Sequence, residues 1–379
     1  MSVIYLDNAA TTLHKQPEVG AAMRKALETC GGAGRGGHFA AAAASEALYG
    51  CREEAARLFT MSDPARVILT SNATHALNIA VKGLAKPGKS VLISGYEHNA
   101  VVRPLRSIET SGVRTVVLPT PLFDTEAVVE RFAAALMSEN AGLAVCIHMS
   151  NVFGFVLPVE RVAALCRERG VPLIVDASQS AGLTPVNGDL YPYWCMPGHK
   201  SLYGPQGTGL LLVPPGGSLP PLMEGGTGGD SRNRSMPDYL PERLESGTHN
   251  APGVAGLAAG MRFVRKNGLS SSSSNADPLL KEAVSALNEL KGLVRVYSSL
   301  SAQKSVVSFT VEGRDSESVA EALSKRGIAV RAGFHCAPLA HETAGTAATG
   351  TVRASFSQSN RLSDIKILAD AIRKIAAPA

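Results

Sequence analysis

The chain has 379 residues, 45% of them hydrophobic and 18% charged, with a formal net charge of +5. This is the composition of a globular protein large enough for two domains, since a single core stops growing near ~300 residues. The mild charge, without a Lys/Arg run or interleaved aromatics, gives no case for nucleic acid; no window approaches the ~20 apolar residues of a membrane helix, and the start lacks the basic region of a signal peptide.

A short apolar strand leads to Asp7, and apolar periodicity predicts a helix over 41–59. The run Val67-Ile-Leu-Thr70 reads as a strand that breaks at 71–74 and opens into a helix over 75–84. Free backbone N–H groups at that helix start, around Ala73 and Thr74, together with the Thr74 hydroxyl, can cradle a phosphate. Helices follow over 125–137, capped by Asp124, and over 158–169, begun by Pro158 and stopped by Gly170. The run 171–176 is a short buried strand that delivers Asp176 to the carboxyl edge of a parallel sheet, where open α/β sheets bind ligands.

Lys200 stands in Met196-Pro-Gly-His-Lys-Ser-Leu-Tyr-Gly-Pro-Gln-Gly-Thr-Gly209. A lysine beside a Gly/Pro turn is, taken alone, a surface residue. Here its amine can meet the carbonyl of an aldehyde cofactor such as pyridoxal phosphate and form a Schiff base. Asp176 could hold the pyridine nitrogen of that cofactor protonated, or could simply cap a helix. Gln179 can donate to its phenolic oxygen.

The Ser-rich stretch at 267–275 reads as a flexible linker. Beyond it the pattern predicts a helix from about 278, strands near 294 and 306, a helix near 316–325, strands at 328–331 and 351–356, and a closing helix. The expected division is an N-terminal segment, 1–20, packing on both domains; a large domain, 21–266; a linker, 267–277; and a small α+β domain, 278–379. The active site should lie at the junction. No internal repeat is visible.

The six cysteines follow neither zinc nor disulfide spacing, so no metal site is expected, and free thiols suit a reducing cytoplasm. Cys51, Cys146 and Cys166 fall in apolar stretches, whereas Cys336 follows a strand end in a setting rich in Gly, His and Arg that favours thiolate.

Several segments in order resemble the cysteine desulfurases, a group within the class V aminotransferases of fold-type I pyridoxal-phosphate enzymes. They are Tyr5-Leu-Asp-Asn-Ala-Ala-Thr-Thr12, Gly34-Arg-Gly-Gly-His38, Glu97-His-Asn-Ala100, Ser150-Asn-Val-Phe-Gly154, Asp176-Ala-Ser-Gln179, Glu245-Ser-Gly-Thr248, Arg331-Ala-Gly-Phe-His-Cys-Ala-Pro338 and Thr351-Val-Arg-Ala-Ser355. The resemblance implies an α/β, aspartate-aminotransferase-like large domain with a mainly parallel sheet, a small C-terminal domain, and conversion of L-cysteine to L-alanine with transfer of sulfur to Cys336 as a persulfide.

By the same resemblance, Lys200, Cys336 and His98 are catalytic. Ala73, Thr74, His98, Asn151, Asp176, Gln179, His199 and Lys200 hold pyridoxal phosphate, with Thr227 completing the phosphate cradle from a neighbouring subunit. Asn8, Asn151, Arg331 and Arg353 meet the substrate, Arg353 gripping its carboxylate. Arg35 and His38 match entrance positions without assigned chemistry. The short connection after Cys336 resembles the SUF-type group, which implies that a sulfur-acceptor protein comes to the thiol. A homodimer in the cytoplasm, supplying iron–sulfur or other sulfur-containing cofactor synthesis, completes the expectation.

The chain also departs from the pattern. Pro197 stands where relatives carry a hydroxyl near the phosphate, His75 where many have Glu, and His249 where many have Pro; residues 357–361 differ as well. Selenocysteine lyase, cysteine sulfinate desulfinase, another aminotransferase of the group, or a non-catalytic metal or sulfur-relay protein using His335, Cys336 and His341 remain as alternatives.

Overall fold

The computed structural model describes residues 3–34, 36–229, 232–267 and 269–376. Its larger sheet runs, in spatial order, Val67–Thr70, Gly209–Leu212, Tyr193–Pro197, Leu173–Asp176, Ala141–Ile147, Ser90–Ser94 and Arg114–Leu118. Only Gly209–Leu212 runs against its neighbours; the other pairings are parallel. Near-continuous apolar strands such as Leu173–Asp176 are buried along their whole length, as strands covered on both faces must be.

Helices supply both covers. Ala73–Leu84 and Asn99–Ile108 pack on one face around Ile68, Leu77, Val145 and Ile174, while Phe39–Leu58, Thr125–Ser138, Val159–Glu168 and Ala251–Asn267 pack on the other around Phe59, Phe132, Val175 and Trp194. Helix starts follow local chemistry. Asp124 accepts from Ala127 N at 2.9 Å, and Asn72 accepts from His75 N at 2.9 Å, satisfying amides that the first turn leaves free.

A second, antiparallel sheet orders Arg331–Gly333, Thr351–Ser355, Val306–Val311 and Val294–Tyr297, backed by Leu269–Asn288, Ser316–Ser324 and Leu362–Ala376 around a core of its own. The N-terminal Ile4–Tyr5 pairs in parallel with Ile328–Ala329. The run 328–331 is therefore divided: its first half pairs with the N-terminus and Arg331 joins the four-stranded sheet.

The Ser-rich stretch, expected as a flexible linker, is helical from Leu269 and continuous to Asn288, so the helix begins before 278; Gly268 lies outside the described residues. Serine costs only about half a kcal/mol per residue relative to Ala in a helix, so a run of it does not by itself stop one.

Candidate active site

The carboxyl ends of the parallel strands converge on one cavity of about 230 Å³, at the edge where open α/β sheets place ligands. Strand Leu173–Asp176 ends in Asp176, whose Oδ1 accepts from Ser178 N at 2.9 Å and whose Oδ2 has no hydrogen bond among the described residues. Strand Tyr193–Pro197 leads into the turn bearing His199 and Lys200. Asn151 follows Ala141–Ile147, and His98 follows Ser90–Ser94. Ala73 and Thr74 open the helix after Val67–Thr70 with amides that no carbonyl uses. From the smaller sheet come Arg331 and Arg353.

Burial dominates the electrostatics. It pushes the Lys200 amine down to about 8, helped by Arg353 and Arg331 and opposed by Asp176. The His98 imidazole falls to about 4, chiefly through burial, with Asp176 pulling the other way. Its Nδ1 accepts from Ala100 N at 3.0 Å, so the neutral ring carries its proton on Nε2. His199 also falls to about 4 through burial and the neighbouring Lys200 and Lys15.

The turn that carries Lys200 is strapped from the N-terminus. The His199 carbonyl accepts from Thr12 N at 3.2 Å, Thr11 Oγ1 at 3.1 Å and Lys15 Nζ at 2.7 Å, and the Lys200 carbonyl from Thr12 Oγ1 at 2.7 Å. Among the described residues, Lys200 Nζ itself makes no hydrogen bond. Gly182 allows this turn to pack: it has φ +89°, and a Cβ there would stand 2.4 Å from Ser201 O.

Ten residues singled out from the sequence thus line one cavity: Ala73, Thr74, His98, Asn151, Asp176, Gln179, His199, Lys200, Arg331 and Arg353. Cys336 does not line it, but is exposed beside it, next to His335, which does. Gln179 already donates through Nε2 to Ala9 O at 3.0 Å.

Three others stand elsewhere. Asn8 is spent on structure, donating to Ser355 O at 3.0 Å and Asn360 Oδ1 at 3.1 Å, and faces a smaller adjoining cavity. Thr227 lies in its own chain on a separate surface cavity with Arg52 and Glu245. His38 caps the helix Phe39–Leu58, accepting from Ala41 N. Arg35 lies outside the described residues.

Sequence reading gave no role to Asp7 or Ser178, and gave His335 one only in the metal or sulfur-relay alternative. Ser178 and His335 line the cavity, and Asp7 Oδ1 accepts from Arg353 Nη2 at 2.6 Å. An acid just before Asn8 was the only available signal for the last.

A family model described as aminotransferase class-V matches residues 4–368. A probable cysteine desulfurase of Methanothermobacter thermautotrophicus is 30% identical over 98% of this chain and 94% of its own. Another, from Mycolicibacterium paratuberculosis, is 28% identical over 99% of this chain, which spans only 55% of that longer relative. Among solved structures, the cysteine desulfurase of Thermococcus onnurineus superposes with a TM-score of 0.89 at 29% identity, covering 99% of this chain and 94% of that one. The cysteine desulfurase CsdA of Escherichia coli gives 0.84 at 26% identity, covering 98% and 94%. A lysine-centred cavity at the carboxyl edge of the sheet, in a chain matched almost throughout, has one consistent explanation: the chain belongs to the class-V aminotransferase family of pyridoxal-phosphate enzymes.

Proposed function

We propose that this chain is a cysteine desulfurase that converts L-cysteine to L-alanine and takes the sulfur onto Cys336 as a persulfide. The observation that carries the reading is an exposed cysteine, hydrogen-bonded to Arg331, beside a cavity holding a half-buried lysine whose amine has no hydrogen-bond partner among the described residues.

The residues suit pyridoxal phosphate. Among the described residues Lys200 Nζ has no hydrogen-bond partner and Asp176 keeps a carboxylate oxygen open to a ring nitrogen, while the amides of Ala73 and Thr74, with His199, offer donors to a phosphate. The His98 ring would lie along the cofactor, and Asn151 and Gln179 would flank it. Pro197 offers neither hydroxyl nor N–H, so the phosphate depends on the helix start and on Thr227 reaching over from a second copy of the chain. When bound, pyridoxal phosphate supplies an electron sink that makes the substrate α-proton acidic and the β-sulfur open to attack.

The protein's own groups do the rest. Arg353 binds the substrate carboxylate. Lys200, neutral above about 8, takes the α-proton, and a base in that range is well matched to the task. Cys336 Sγ then attacks the substrate sulfur: the S–S bond forms, the carbon–sulfur bond breaks with its electron pair going to carbon, and protonation there, by Lys200 or through His98, gives alanine. The short, hydrogen-bonded turn around Cys336 supports delivery to an acceptor protein that comes to the thiol; a reducing cytoplasm and iron–sulfur or related cofactor synthesis belong to the same reading.

The test feeds L-cysteine, L-selenocysteine and L-cysteine sulfinate to purified protein and compares alanine yields of the native chain and Cys336→Ala. Desulfuration of cysteine that depends on Cys336 is expected. Cysteine turnover untouched by the substitution would defeat the proposal, and activity confined to selenocysteine or sulfinate would point to the corresponding lyase.

A further inference from the structure

Arg331 and Arg353 stand directly opposite each other in the register of their antiparallel strands. Like charges so placed repel, and Arg353 is only 1% exposed, so water does little to relieve it. An anion is required, and the protein supplies one. Asp7 Oδ1 accepts from Arg353 Nη2 at 2.6 Å, while Asn151 O accepts from Nη1 at 2.8 Å. Two contacts on two nitrogens fix the guanidinium plane and leave Nε without a partner among the described residues.

Asp7 is itself held: its backbone bridges to Ser355, and the Tyr5 hydroxyl donates to the Asp7 carbonyl at 3.1 Å. Asp7 does not line the cavity, so it acts on Arg353 from behind.

We propose that Asp7 is a positioning residue: by holding the Arg353 guanidinium in one orientation it makes the site take α-amino acids with a free carboxylate in preference to their amides or esters. This rests on the desulfurase reading for its choice of L-cysteine as substrate.

The experiment measures kcat and KM for L-cysteine and L-cysteinamide. In Asp7→Ala the preference for acid over amide should fall roughly ten- to hundredfold, the size expected for losing a hydrogen bond to a charged group, mainly through KM for the acid. Asp7→Asn, which keeps an acceptor oxygen, should fall between Ala and native, and carries the test alone if thermal melts show the Ala variant unfolded. In an Arg353→Ala background Asp7→Ala should change the preference no further. Equal losses with acid and amide, or an unchanged preference, would overturn the assignment. Titrating the cofactor absorption with L-alanine and L-alaninamide reads the same preference without turnover. A chain that released no sulfur would thus fail the desulfurase reading while this comparison still decided the role of Asp7.

Discussion

Arg331 Nη2 donates to Cys336 Sγ at 3.2 Å across a turn in which His335 and Cys336 both have positive φ, +51° and +58°. Such conformations cost about 1–3 kcal/mol in non-glycine residues and persist only where the surroundings over-determine them. Here Asn151 Nδ2 donates to His335 O at 2.8 Å, Asn99 N to Cys336 O at 2.8 Å, and His335 Nε2 lies 3.1 Å from Thr351 O. The sulfur is held outward by a braced turn, which suits a group that must meet both a substrate and a partner.

The first prediction concerns that sulfur. Cys336→Ala should bind cofactor as the native protein does, because the thiol does not line the cavity, yet lose alanine release from L-cysteine by about two or more orders of magnitude. Cofactor absorption and alanine yield measured on one preparation check both halves.

Lys200 carries the second. Borohydride-treated holoprotein should yield a peptide with a pyridoxyl group on Lys200, and Lys200→Ala should yield none. Because burial lowers the amine to about 8, its neutral, nucleophilic form gains tenfold per pH unit below that value and levels off above it. The rate of cofactor capture by apoprotein should rise with pH and flatten near 8; a rate still climbing at pH 10 would contradict the lowered value.

Glu97 gives a third, on stability. Its Oε1 accepts from Ser94 Oγ at 2.5 Å and Ile147 N at 2.7 Å, while Oε2 is buried without a partner among the described residues. Burial raises the carboxyl from 4.5 to about 8, so the folded state holds a proton that the unfolded chain gives up. Its contribution to stability is full below pH 4.5 and is lost as pH rises through 8. Glu97→Gln, which mimics the protonated acid, should flatten the fall in Tm over that interval.

Gly182→Ala tests the packing under the lysine turn. A methyl 2.4 Å from Ser201 O, on a residue with φ +89°, must push that turn away. Weaker cofactor retention with a lowered Tm is expected, measured by dialysis and thermal unfolding.

Much of the large sheet was legible because its signals are local. The run 67–70 is apolar and ends at a helix cap, and Asp124 announces the helix behind it, so boundaries there fall within a residue or two. Local signals failed where composition stood in for conformation. The serine stretch suggested a loop, but serine tolerates a helix, and the helix Leu269–Asn288 runs through it.

The sequence alone determined which chemistry is present: a lysine amine between glycines, a carboxylate closing a buried strand, a helix start able to hold a phosphate and a cysteine set among Gly, His and Arg. Only the tertiary structure decided which groups meet. It set Asn8 on backbone and Asn360 rather than in the cavity, put Thr227 on a different cavity of its own chain, and joined Asp7 to Arg353 across 346 positions. The reason is physical: periodicity and capping act over a few residues, whereas an ion pair between distant segments exists only once strand register has brought them together.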